Sequence, residues 1–536
     1  MKTIHKFIFR DYLLRFFLSL LLFITFAAWS VSSAIGSSPD EDTVLTTVWC
    51  GKNIPYTQQL DLLRLFRETS KFDGSGEEAT EFRKLNKVNG SVKEATEFCK
   101  YDSRNIKYHI IPALVAFPQR CYLDPGQDYS AACQKELTDI SVRKFFESAN
   151  ETRYIKSIRF VVGGDVEASV VKMRLLNSFL AAVLIVFAAS FVLKKSPDLL
   201  LAWLAVIAPV TSYFIASVNT SSWSLIGTTC FTFAFIGALK NRHQPKIWIP
   251  ATFLSVFALW FTNSSRFEGK YVILLLAAGI IYSEFAPKNF RLTKKTALFG
   301  AAVLPLIYLI FDYFSGRYGR INIFNDPRVE ISEGITTTAN NLLLQNFINL
   351  PRFIMGFFGG WGLGWFELEM THTVWLFTLQ AFLLTIVFAL LKSKRIHQII
   401  FGGLFVVMCV AILYANQQAF SKVGNVIQPR YFLPFFLGLV IITAANKTER
   451  YPNSLVITVA ILATTANSIA LRDTIRRYTT GQDVFISKSL NNPIEWWWQF
   501  GPKPETVWLI GTLAFAALFA TLIYERNIEE PEKLAK

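Results

Sequence analysis

The feature that most constrains this chain is a series of long, nearly uncharged apolar runs. The first covers about residues 12–35, and others follow near 175–193, 198–216, 222–239, 246–263, 270–286 and 296–314. A second set lies near 372–391, 397–415, 431–446, 453–471 and 506–524. A helix of roughly 20 apolar residues matches the hydrocarbon thickness of a bilayer, so the runs predict about twelve membrane spans. Composition agrees: 52% of the 536 residues are apolar and only 17% charged, against about a quarter charged in soluble domains. That argues against a soluble cytosolic enzyme, and the 15% aromatic content argues against a disordered chain. The predicted fold class is an all-α polytopic integral membrane protein.

The net charge of +15 is unevenly placed. Segments 1–11, 194–197, 240–246, 287–295, 392–396, 447–451 and 525–536 hold 20 Lys or Arg against 6 Asp or Glu, whereas 38–174 holds 20 of each. Basic excess in short loops marks the cytoplasmic side of a membrane protein. An even number of spans then puts both termini there. The basic residues form no clustered patch of the kind nucleic acid requires, so no nucleic-acid partner is expected.

This topology divides the chain into a cytoplasmic start with the first helix (1–35), an extracytoplasmic domain (36–174) and helices two to seven (175–314). An outer loop (315–371), helices eight to twelve (372–524) and a cytoplasmic tail (525–536) complete it. The first run follows Lys2, Lys6 and Arg10 and reads as an uncleaved helix rather than a signal peptide. The outer domain reads as α-rich, with a candidate strand at 155–162 that would make it α+β. It holds Cys50, Cys99, Cys121 and Cys133, for which two disulfides in an oxidising compartment are expected, with all three pairings open. Cys230 and Cys409 lie inside apolar runs and read as packing residues. The run 353–366 carries Gly356, Gly359, Gly360, Gly362 and Gly364. It reads as a juxtamembrane or re-entrant element, because a span there would move Lys392, Lys394 and Arg395 outside.

Candidate functional residues fall on the outer side. Pro39-Asp40-Glu41-Asp42 follows the first helix, where adjacent carboxylates beside lipid need water, a cation or a positively charged ligand. They read either as a solvated helix start or as a general base over a membrane-embedded substrate. Arg430, in Gln428-Pro429-Arg430-Tyr431, either snorkels to headgroups or captures phosphate with its two-pronged guanidinium. Arg266, in Arg266-Phe267-Glu268-Gly269, offers a second cation. Asp312, Glu367, Glu369 and His372 are further interfacial candidates. Trp496-Trp497-Trp498 reads as an interfacial belt, with sugar stacking as the alternative. No nucleotide-binding, serine-hydrolase or zinc-protease motif occurs in a suitable context.

Taken together, several of these short motifs resemble a bacterial family of membrane proteins, domain of unknown function 2142, in particular its actinobacterial members. That family is similar to the GT-C superfamily of polyprenyl-phosphate-dependent glycosyltransferases. The residues that carry the resemblance are Pro39-Asp40-Glu41 with Trp49-Cys50 downstream, Ser217-Val218-Asn219, Arg266 with Gly269, Gly364-Trp365, and Gln428, Arg430, Tyr431 and Pro434. Three positions depart from the family pattern: Val44 stands where a His is usual, Glu367 where an Asp is usual, and Thr220 where a Pro is usual.

The resemblance implies a GT-C-like fold and transfer of a sugar from a polyprenyl-phosphate donor to a cell-envelope glycan or lipid acceptor. The site would face the outer side of a bacterial plasma membrane, among membrane lipids. It implies Asp40 as the base on the acceptor hydroxyl, with Glu41 in reserve, and Arg430 and Arg266 holding the leaving phosphate. Gln428, Tyr431 and Glu367 would line the substrate. No cofactor is required on this reading, and the acids at 40–42 leave a divalent cation open. Lipid-linked sugar transport and a non-catalytic envelope-assembly role are the rivals. Transport calls for mid-span charges and repeated halves, and the sequence offers almost none of the former and no clear sign of the latter.

Overall fold

The computed structural model describes residues 2–34, 36–39, 41, 44, 153–158, 161, 166–193, 196, 198–207, 209–266, 268–285, 330–332, 335–337, 339–364, 368, 370–424, 427–479, 489–492, 494, 497–498 and 501–534. In chain order the first elements are α1 (Lys2–Ser30), α2 (Arg153–Ile158), α3 (Val166–Leu193), α4 (Asp198–Ile207) and α5 (Val210–Ile215). There follow α6 (Thr220–Lys240), α7 (Pro245–Ser265), α8 (Gly269–Phe285) and an antiparallel hairpin of β1 (Glu330–Ser332) and β2 (Ile335–Thr337). The remainder is α9 (Ala339–Ile348), α10 (Leu350–Met355), α11 (His372–Leu391), α12 (Arg395–Gln418), α13 (Leu433–Ala445), α14 (Asn453–Thr479) and α15 (Pro504–Leu534).

Among the described residues, eight helices are long and apolar enough to cross a membrane: α1, α3, α6, α7, α11, α12, α14 and α15. The apolar run 198–216 is divided between the 10-residue α4 and the 6-residue α5, with Pro209 at the start of α5. A proline lacks the N–H that would continue the upstream hydrogen-bond ladder. The run 431–446 is likewise shorter as a helix than as an apolar string. A 3-10 turn at Pro429–Tyr431 precedes the 13-residue α13. The seventh run, 296–314, lies outside the described residues, as do Asp312 and the four outer cysteines. Cys230 and Cys409 are free thiols.

The candidate strand at 155–162 is corrected: 153–158 is the short helix α2. Tyr154 explains its position. The ring packs edge-on against Trp223 at 5.0 Å, and the hydroxyl accepts from Asn177 Nδ2 at 3.2 Å. Burial pushes that phenol above its usual range. One ring anchored to α3 and α6 thus replaces a ladder of strand partners.

Helix α6 is the centre of the bundle, with 89% of its apolar window buried, whereas only 22% of α12 is covered. The α6–α7 contact closes over Gly227, where an added Cβ would stand 2.1 Å from Thr262 Oγ1 and 3.0 Å from the Ala258 carbonyl oxygen. A backbone atom cannot rotate away as a side chain does. Gly227→Ala is therefore expected to destabilise the fold by about 1–3 kcal/mol, typical of overpacking. A melting series in lipid discs that left Gly227→Ala unchanged would contradict this packing.

The segments between helices gather at two ends. At one end Lys240 Nζ donates to the Ala445 carbonyl at 2.6 Å, and Thr448 Oγ1 to the Lys392 carbonyl at 2.7 Å. There Lys447 pairs with buried Asp198 at 2.6 Å, and Arg526 Nε lies 3.6 Å from the same carboxylate. Tyr451 N also donates to Asp198, at 3.0 Å. This carboxylate at the start of α4 ties α15 to the α13–α14 connection. Segments 240–246, 392–396 and 447–451, which share a side on the charge argument, share this end.

Candidate functional site

The opposite end is built on the turn that follows α1. Glu41 is 0% exposed and lies beside Arg174 of α3, itself 1% exposed. Arg174 Nε donates to Glu41 Oε1 at 2.9 Å and Nη2 to Oε2 at 2.6 Å. The other guanidinium hydrogens reach the carbonyls of Ser30 (3.0 Å), Ser33 (2.7 Å) and Ala34 (2.8 Å). The Ser30 carbonyl ends α1 and those of Ser33 and Ala34 lie in the turn just after it, where no further helix turn satisfies them. Glu41 in turn accepts from the backbone N–H groups of Gly36 (3.1 Å), Ser38 (3.5 Å) and Val218 (3.0 Å). A buried charge pair with every remaining donor and acceptor engaged is the arrangement that low-dielectric surroundings require. It also fixes the turn at residues 36–39 and the position of Glu41.

The same turn presents the carbonyl of Pro39 to two side chains. Arg430 Nη1 donates to it at 2.7 Å, and Asn219 Nδ2 donates to it as well. Asn219 Oδ1 caps α6 by accepting from Ser221 N at 2.7 Å. Arg430 Nη2 donates to Tyr431 Oη at 3.2 Å, and the guanidinium lies over the rings of Tyr431 (5.0 Å) and Phe214 (5.5 Å). The other face of the site is Arg266, at the end of α7. Its guanidinium carbon stands 4.4 Å from the centre of the Tyr431 ring. Tyr431 is thus close to both arginines.

The buried polar atoms here that lack a hydrogen-bond partner include Arg266 Nε, a donor, and Gln428 Oε1, an acceptor. Both are buried, and buried polar atoms are satisfied in the great majority of cases. An unfilled donor and an unfilled acceptor beside one turn suit a ligand that carries both kinds of oxygen, anionic and hydroxylic.

The glycine-rich segment supports this turn. After α10, residues Gly356–Phe358 form a 3-10 turn, and Leu363 bridges Leu368. An added Cβ on Gly356 would meet Pro429 Cγ at 2.3 Å. Phe357 stacks on Phe436 at 4.8 Å, and Phe353 packs edge-on against Phe432 at 5.8 Å. The aromatic wedge holds the 428–432 segment against the bundle. Its glycines permit the close approach.

Of the residues singled out from sequence, Glu41, Arg266, Gln428, Arg430 and Tyr431 are brought to one end of the bundle. Asp40 and Glu367 lie outside the described residues, with Pro39, Glu41 and Leu368 as described neighbours. Val44 is 4% exposed. The tryptophan run departs from the belt expectation at Trp498. Its ring is buried beneath Arg174 at 5.7 Å, and its Nε1 donates to the Val31 carbonyl at 3.0 Å. Burial there gives it a packing task at the end of α1. Arg174 belongs to no motif in the sequence, and its one local signal is that an arginine beside an apolar run marks a special position. Helix α3 begins at Val166 and so carries Arg174 inside it. Among the described residues, no group of three or more His, Cys, Asp or Glu could hold a metal ion.

Residues 23–439 match the family of predicted membrane proteins described as DUF2142. No curated protein and no solved structure matches the chain.

Proposed function

Because the chain belongs to that family of predicted membrane proteins, we propose that it is a GT-C-like glycosyltransferase working among membrane lipids. On this reading it moves a sugar from a polyprenyl-phosphate donor to a cell-envelope glycan or lipid acceptor. The site end faces outward from a bacterial plasma membrane, and the basic end, with both termini, faces the cytoplasm. Nucleotide sugars are cytoplasmic, so an outward site draws on a lipid-borne donor that enters between helices and meets basic groups at the interface.

The observation that carries the reading is the grip of Arg430 on the Pro39 carbonyl, 2.7 Å away. That carbonyl carbon is bonded directly to the nitrogen of Asp40, so the acidic motif and the cationic turn meet across nearly 400 residues of sequence. Asp40 takes the proton of the acceptor hydroxyl as its oxygen bonds to the anomeric carbon. The bond from that carbon to the donor phosphate breaks, and its electron pair leaves with the phosphate. Arg266 and Arg430 stabilise the charge that develops there, commonly the largest single catalytic contribution. Gln428 Oε1 accepts from a sugar hydroxyl, and Tyr431 keeps both guanidinium groups in place. Glu41 serves as a positioning residue, because its carboxylate is spent on Arg174. Glu367 keeps its proposed place in the substrate lining. The arginines supply countercharge without a cofactor, and a divalent cation at 40–42 is read out by adding chelator to the same assay.

The test offers purified protein in lipid discs a radiolabelled pool of polyprenyl-phosphate sugars, wild type beside Asp40→Asn. Transfer by wild type and its loss in a folded Asp40→Asn protein supports the proposal. Equal transfer by both rejects Asp40 as the base, and sugar crossing vesicles without a covalent product identifies a transporter instead.

A further inference from the structure

Three arginines are among the largest fully buried side chains: Arg174, Arg430 and Arg477. The first is matched by Glu41, and the second binds the Pro39 carbonyl. Arg477 stands apart. It is 0% exposed, yet Nε, Nη1 and Nη2 all lack a hydrogen-bond partner. Its recorded contact is the ring of Tyr478, 5.5 Å from the guanidinium carbon.

A guanidinium is always charged in proteins, so Arg477 cannot escape burial by losing its proton. Contact with one ring face is a weak interaction beside the penalty for removing such an ion from water. The C-terminal end of α14 lowers that penalty through its dipole but gives this side chain no hydrogen bond. Arg472 and Arg476 add two more cations to the last two turns, against the single carboxylate Asp473, which accepts from Thr371 Oγ1 at 2.9 Å. The neighbour of Arg477 in sequence, Tyr478, interacts electrostatically with Arg174 of the site already described.

We infer that Arg477 anchors a second oxyanion site at this end of the bundle, taking a phosphoryl group. Planar donors in a fixed fork suit two phosphoryl oxygens at once. The inference builds on the proposed reading only in placing a phosphorylated ligand at this end. It adds that such a ligand, or a second one, meets a cation distinct from Arg266 and Arg430.

The experiment compares wild type with Arg477→Met, both as full chains in phosphatidylcholine discs. Thermal melting is followed with inorganic pyrophosphate, with a short-chain prenyl diphosphate, and in discs that contain phosphatidylglycerol. Without ligand, Arg477→Met is expected to melt at or above the wild-type temperature, since a buried unpaired charge is replaced by an apolar chain. A loss of melting temperature comparable to that of Glu41→Gln would show a purely structural role and overturn the inference. At least one phosphoryl probe is expected to raise the wild-type melting temperature, with affinity about thirtyfold or more weaker in Arg477→Met. A response to pyrophosphate points to a soluble ligand, to the prenyl diphosphate alone a lipid-borne one, and to phosphatidylglycerol alone a membrane headgroup. No wild-type response, or equal responses from both proteins, overturns the inference. An Arg477-dependent response in protein that transfers no sugar counts against the transferase alone. Transfer by Arg477→Met with unchanged probe affinity counts against this second site alone.

Discussion

Glu41→Gln is expected to lose about 3–5 kcal/mol of stability, the cost of leaving a buried cation without its partner. The size follows from the surroundings of Arg174. It has 1% exposure, two hydrogen bonds to the carboxylate, and three more to carbonyls at and just after the end of α1. An amide in place of the carboxylate keeps its shape but removes its charge, and its NH2 end now faces a backbone donor, Gly36 on one side or Val218 on the other. Removing both partners together, as in Glu41→Leu with Arg174→Met, is expected to recover much of the loss, because no lone charge remains buried. Melting temperatures of Glu41→Leu, Arg174→Met and the double variant measure the coupling. Additive single effects would mean that the pair does not act as a unit.

Asp40→Asn is expected to behave in the opposite way, with transfer reduced by about 10²–10⁴-fold, the usual contribution of a positioned base. The proposal rests on a division of labour within two adjacent residues. Glu41 is turned inward and consumed by Arg174, whereas the Pro39 carbonyl that precedes Asp40 is held by Arg430 and Asn219. Activity and melting temperature measured on the same preparations separate the two roles. If Asp40→Asn lost stability as Glu41→Gln does and kept its turnover, the assignment of base and positioning residue would be wrong.

Much of the scaffold was legible in sequence because membrane spans announce themselves by length and apolarity. The runs at 12–35, 175–193, 222–239, 246–263, 372–391, 397–415, 453–471 and 506–524 each correspond to a long helix. Helix ends were less legible. Helix α14 continues to Thr479, eight residues beyond its apolar run, and carries Arg472, Arg476 and Arg477 with it. A hydropathy boundary marks where charge begins, and backbone hydrogen bonding does not stop there. The run 198–216 failed for the reverse reason: it is apolar throughout 199–210, yet Pro209 interrupts its helix.

The candidate site divides in the same way. Arg266 and Arg430 stand out because arginines are scarce in the outer loops, which is a property of composition, and Gln428 and Tyr431 come with the family resemblance. Nothing local indicated that Arg174 would neutralise Glu41, 133 residues away, or that Asn219 would grip the Pro39 carbonyl across 180. Trp498 looked like a headgroup residue and is instead a buried neighbour of Arg174.

Sequence alone marks a helical membrane protein and the eight stretches that form helices long and apolar enough to cross a bilayer. Those properties follow from the solvation of each segment taken alone. Packing is what locks Glu41 in an ion pair, leaves Arg477 unmatched and brings the Pro39 turn to Arg430. Such pairings depend on the cost of burying charge, and that cost is set by atoms that packing brings together from distant parts of the chain.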